Sequence, residues 1–114
     1  MSEFVGTVRQ GERPVLYVEF PCSSGSAYIS GTPTVEVRDY YSGTVIRAGT
    51  AVTGASAGTV TDPQAWFLFN TVSPGTIPAG WVSLCFAGSV VGTDGITRLQ
   101  EPKIDLLVAE AWGG

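Results

Sequence analysis

The chain has 114 residues, the length of one domain, with 44% hydrophobic residues, only 14% charged residues and a net charge of −4. Its cations are Lys103 and five scattered arginines, and it has no histidine. Direct nucleic-acid binding, which needs clustered cations, is therefore not expected, nor is chemistry that depends on a histidine base, and no apolar run reaches the ~18 residues that span a membrane as a helix.

In chain order, Phe4-Val5-Gly6-Thr7-Val8 is a short β-prone piece, either a first edge strand or an arm that docks elsewhere. Val15 to Phe20 alternates, with Leu16, Val18 and Phe20 on one side and Val15, Tyr17 and Glu19 on the other, and Pro21 stops it. Cys22 to Gly31 reads as a Ser/Gly loop that carries Tyr28 and Ile29. Val35 and Val37 alternate with Glu36 and Arg38, the turn Tyr40-Tyr41-Ser42-Gly43 follows, and Thr44 to Gly49 returns antiparallel.

Gly54 to Gly58 is a turn region, Thr59-Val60-Thr61 is a short strand, and Asp62-Pro63 breaks it. Trp66-Phe67-Leu68-Phe69 is apolar in both phases, which predicts a strand covered on both faces. Ser73-Pro74-Gly75 leads to Pro78-Ala79-Gly80, which opens the strand Trp81 to Phe86, closed by Gly88. Its core phase is Val82, Leu84 and Phe86. Asp94-Gly95 supplies the positive φ of a tight hairpin, Ile96 to Leu99 returns, and Lys103 to Val108 is the last strand. No segment keeps a helical period. Seven to nine strands separated by Gly and Pro turns predict an all-β, antiparallel β-sandwich, with a small closed barrel as the alternative.

Chemistry is sparse. A glycosidase needs two carboxylates about 5–9.5 Å apart, and the nearest pair by this reading is Glu19 and Glu36, both in outward phase. Asp62 and Asp94 are turn residues, where a carboxylate bonds the nearby backbone. Calcium needs several such oxygens in one loop, and neither loop has them. No catalytic residue, metal site or cofactor is expected. Cys22 and Cys85 are expected to be reduced thiols, because Met1-Ser2-Glu3-Phe4 lacks the pattern of an export signal and points to synthesis in a cytoplasm. Trp66, Trp81, Phe67, Phe69 and Phe86 are expected in the core. Tyr40 and Tyr41 in their turn, Phe4 and Trp112 are the candidate interface residues.

One ordered pattern runs from Arg13-Pro14-Val15-Leu16-Tyr17-Val18-Glu19-Phe20 through Val35-Glu36-Val37-Arg38-Asp39, Ser42-Gly43-Thr44-Val45-Ile46 and Trp66-Phe67-Leu68-Phe69. It continues in Pro78-Ala79-Gly80-Trp81-Val82-Ser83-Leu84-Cys85-Phe86 and ends in Arg98 to Val108. This resembles the immunoglobulin-like domains of tailed-bacteriophage structural proteins, the family that includes the N-terminal domain of the siphophage upper baseplate protein. The resemblance covers residues 13–108. Thr61 to Ala65 and the loop before Gly31 depart from its pattern. It implies an immunoglobulin-like sandwich over 13–108; outside it the residues themselves read as an N-terminal arm or edge strand over 1–12 and a tail over 109–114 too short for a stable helix.

The family has no catalytic residues to carry over. The function it implies is that of a non-enzymatic virion protein, an accessory adaptor at the neck, tail or baseplate or a capsid decoration domain. Its partners would be other virion proteins or copies of itself. The low charge fits a surface covered by a partner, and equally strands solvated by Ser and Thr. The alternative function is a carbohydrate-binding module in which Tyr40 and Tyr41, with Trp81, form a stacking platform.

Overall fold

The structure, a computed structural model, describes residues 2–22, 25–72 and 75–111, with the side chains of residues 2–5 left undescribed. Among the described residues there are ten strands and no helix: β1 (Ser2–Arg9), β2 (Val15–Glu19), β3 (Ser26–Asp39), β4 (Val45–Ala51), β5 (Gly54–Ala55), β6 (Val60–Thr61), β7 (Gln64–Leu68), β8 (Gly80–Gly92), β9 (Thr97–Gln100) and β10 (Lys103–Ala109). They form two sheets. The larger has the order β1-β10-β8-β3-β4, with β6 added to β3 and β9 to β8. The smaller is β2-β7-β5. Every pairing is antiparallel except that of β1 with β10, which is parallel.

The sandwich follows from period-2 patterning. Leu16, Val18 and Phe20 of the small sheet, Val82, Leu84 and Phe86 of β8, and Ile104, Leu106 and Val108 of β10 are all buried. Phe67 meets Phe86 edge to face across the two sheets, with ring centroids 6.4 Å apart. Burying a side chain of this size contributes roughly 1.5–3 kcal/mol, so these facing rows account for the pairing of the sheets.

The fold departs from the sequence reading in its strand count, in the parallel β1–β10 pair, in the stretch before Gly31 and at Gly88, and it selects one of the two alternatives for the N-terminal segment. The ten strands exceed the seven to nine expected because β5, two residues inside the expected turn region Gly54 to Gly58, is too short to read from pattern, whereas β6 falls on the short strand expected at Thr59-Val60-Thr61. The N-terminal segment is the edge strand of the two alternatives: β1 pairs with β10 along its length, and Val8 is buried. The stretch before Gly31 is strand from Ser26 onward, not loop. Ser30 pairs with Ser89 and Thr34 with Ala87, so Gly31, Thr32 and Pro33 bulge against the single residue Gly88. Gly31 takes φ +76°, and Pro33 is tolerated because a bulge spares it a ladder bond. Finally, Gly88 does not close β8. It is a contact point, since a Cβ there would lie 2.9 Å from Phe20 and 3.1 Å from Pro33. The molecule is consequently long, 52 × 25 × 21 Å.

The link from β7 to β8 caps the end of the sandwich. Thr71 is fully buried, and Ile77 N–H donates to its carbonyl at 2.8 Å. Gln10 Nε2 donates to the Ile77 carbonyl at 2.8 Å. Arg47 Nη1 and Nη2 donate to the carbonyls of Asn70 and Gly75 at 2.7 and 2.6 Å, which ties β4 to the same link. Partial burial lowers the Arg47 pKa from its usual value.

Candidate functional site: two aromatic surfaces

The outer face of the large sheet is built from cross-strand rows. Arg38, Ser83 and Asp105 form one row across β3, β8 and β10, and Glu36, Cys85 and Lys103 form the next. At the sandwich end, Trp81 is paired with Leu107, and Tyr40 N–H donates to the Trp81 carbonyl at 3.1 Å. The hairpin turn after β3 brings two tyrosines to this tryptophan of β8. Tyr40 lies 6.2 Å from Trp81 at 51°, and it meets Tyr41 edge to face at 5.1 Å.

The turn is held by its own polar groups. Asp39 Oδ1 accepts the N–H groups of Tyr41 and Ser42 at 2.8 and 3.0 Å. These bonds, that of Ser42 first, hold the Asp39 carboxyl below its usual pKa. Arg38 pairs with Glu36 through Nε and donates from Nη1 to the Gly43 carbonyl at 2.9 Å. Tyr41 is 77% exposed, with its backbone held by the Asp39 carboxylate. Tyr40, Tyr41, Trp81 and Asp105 line a cleft of about 410 Å³. Ser83, itself buried, donates to Asp105 Oδ1 at 2.6 Å and orients the carboxylate.

The second surface is the outer face of the small sheet. Val15 pairs with Leu68 and Tyr17 with Trp66, so four apolar side chains sit side by side. Tyr17 is 60% exposed, and Val15 and Leu68 are also exposed. The Tyr17 and Trp66 rings are 6.2 Å apart. Gly54 stands opposite Trp66 in β5, and a Cβ on it would come within 2.5 Å of three indole atoms. The indole thus lies directly on the glycine backbone.

Tyr40 and Tyr41 come together with Trp81, and Phe4 stands at the register position beside Asp105. Trp112 lies outside the described residues. Two expectations for the aromatics are corrected. Trp66 and Trp81 are not core, because they occupy the outward phase of β7 and β8 and are only partly buried. The two faces of β7 are also not both covered, since Phe67 is buried and Leu68 exposed. Tyr17, Val15, Leu68 and Asp105 were not singled out by the sequence. The outward phase of β2 was readable, but its pairing with β7 is a long-range fact.

Glu19 and Glu36 lie in different sheets and so are not on neighbouring strands. Asp94 pairs with Arg98 at 2.7 Å and accepts Ile96 N–H at 3.0 Å, with its pKa lowered mainly by the arginine. Neither Cys22 nor Cys85 is in a disulfide, and Arg98 Nη1 donates to Cys22 Sγ at 3.8 Å. Burial raises the Cys85 pKa, against the pull of Lys103 and Arg38. Among the described residues no three His, Cys, Asp or Glu side chains gather as a metal site.

No family model matches the chain, and no curated protein matches it. Among solved structures, the CooA pilin subunit from enterotoxigenic Escherichia coli aligns over 90% of this chain and 89% of its own, at 12% identity and a TM-score of 0.36. A likeness that distant carries no argument about function.

Proposed function

We propose that this chain is a non-enzymatic structural domain of a tailed-bacteriophage virion, an accessory adaptor or capsid decoration domain that binds other virion proteins. The observation that carries the binding role is the apolar face of the small sheet. Val15, Tyr17, Trp66 and Leu68 form a contiguous patch, with the indole resting on Gly54. Exposed apolar patches on a soluble domain mark association surfaces, and aromatic anchors dominate their energetics. The phage context comes from the sequence resemblance over residues 13–108.

Co-sedimentation of the recombinant chain with purified capsids and tails of the phage that encodes it tests this reading. The wild-type chain is expected to pellet with one of the two fractions, and Tyr17→Glu and Leu68→Glu, each folded, to stay in the supernatant. A wild-type chain that pellets with neither fraction overturns it.

A further inference from the structure

The cleft at the opposite outer face is left unused by that reading. We propose that the cleft formed by Tyr40, Tyr41, Trp81 and Asp105 binds a pyranose ring of a neutral saccharide. The proposal does not rest on the virion reading and uses a different surface.

A pyranose presents an apolar face of C–H groups and a rim of hydroxyls. A site for it therefore needs an aromatic surface with a hydrogen-bond acceptor at its edge. Both are present. Tyr40 is packed between Trp81 and Tyr41, which fixes its ring. Tyr41 is exposed for stacking, yet its backbone is held by the Asp39 carboxylate, so little order has to be gained on binding. Asp105 stands at the edge of the same cleft. Its Oδ1 is engaged by Ser83 at 2.6 Å, and Oδ2 is the acceptor offered to a ligand hydroxyl.

Size and charge narrow the ligand class. About 410 Å³ falls within the ~300–1,000 Å³ of small-ligand sites. Four lining residues are far short of the roughly 800 Å² that each partner contributes to a stable protein interface. The charged group lining the cleft is a carboxylate, while the neighbouring Arg38 is engaged by Glu36 and the Gly43 carbonyl. A sialylated or uronate sugar would meet Asp105 with like charge, so the ligand is neutral.

Saturation-transfer NMR on the whole chain tests this. The probes are neutral trisaccharides of glucose, galactose, mannose, rhamnose and N-acetylglucosamine, with one sialylated and one uronate trisaccharide as anionic comparisons. At least one neutral probe is expected to receive saturation at its ring C–H protons. Tyr41→Ala, at an exposed position, should weaken that binding about tenfold, and Asp105→Asn should weaken it severalfold. Tyr17→Ala, on the other sheet, should leave it unchanged. No transfer to any neutral probe, transfer to the anionic probes alone, or binding retained in both Tyr41→Ala and Asp105→Asn overturns the proposal. Unchanged melting temperatures for the variants keep the comparison a comparison of sites.

Discussion

The Thr71 hydroxyl donates to the Glu12 carbonyl at 2.8 Å and accepts the Gly11 N–H at 2.8 Å. One buried side chain thereby joins the β7–β8 link to the turn between β1 and β2. Valine has the shape of threonine without its hydroxyl. Thr71→Val should therefore cost on the order of 1–2 kcal/mol, the value of hydrogen bonds left unmade at a buried site. For a domain of this size that lowers Tm by about 4–8 °C. A thermal melt of the two proteins checks it, and an unchanged Tm would show that the hydroxyl does not hold the link.

The strands whose phase is uniformly apolar were legible in the sequence. Leu16, Val18 and Phe20 face inward as read, and so do Val82, Leu84 and Phe86. The Asp94-Gly95 turn was legible as well, because the positive φ of Gly95 is a local requirement. What failed was long-range. Gly31 and Pro33 look like loop residues, and they become a bulge only because β8 runs past them. Trp81 was expected in the core although it is out of phase with Val82, Leu84 and Phe86, whereas Trp66 stands in a strand apolar in both phases, where periodicity alone does not choose the outward face. The aromatic cleft was half legible: its tyrosines sit in one turn, but Asp105 reaches it from the last strand.

Gly54 has no side chain because Trp66 occupies the space, at 2.5 Å from an added Cβ. Gly54→Ala should displace the indole rather than the backbone, since the ring is the part free to move. The expected outcome is a red shift of the tryptophan emission and weaker docking of the small-sheet face, with a stability loss of about 1 kcal/mol or less. An unaltered emission spectrum would mean that the ring does not rest on the glycine.

Gly88 presents the opposite case. Its added Cβ would meet the ring of Phe20, which is fully buried, and Pro33 of the bulge. Neither can retreat without repacking the core. Gly88→Ala should destabilise by about 1–3 kcal/mol, the range for overpacking, more than Gly54→Ala does. Urea denaturation of both variants ranks them, and the reverse order would contradict the packing described at the bulge.

Asp39 links stability to pH. Its folded-state pKa is lowered, first by the Ser42 N–H and then by that of Tyr41. A lowered carboxylate pKa contributes stability above the unfolded value, about 3.9, and loses it as pH falls through the folded value. Asp94, lowered chiefly by its bond to Arg98, acts in the same direction. In Asp39→Asn the side-chain oxygen can still accept those N–H groups, but it has no charge to titrate. The wild type should therefore be the more stable of the two at pH 7, and the difference in Tm should shrink steadily below about pH 4. Because the same two bonds hold Tyr41 in place, binding of any neutral sugar by the cleft should weaken over that interval in the wild type and less in the variant. Tm measured from pH 7 to pH 2.5 for both proteins decides it, and parallel curves would show that the Asp39 charge does not stabilise the turn.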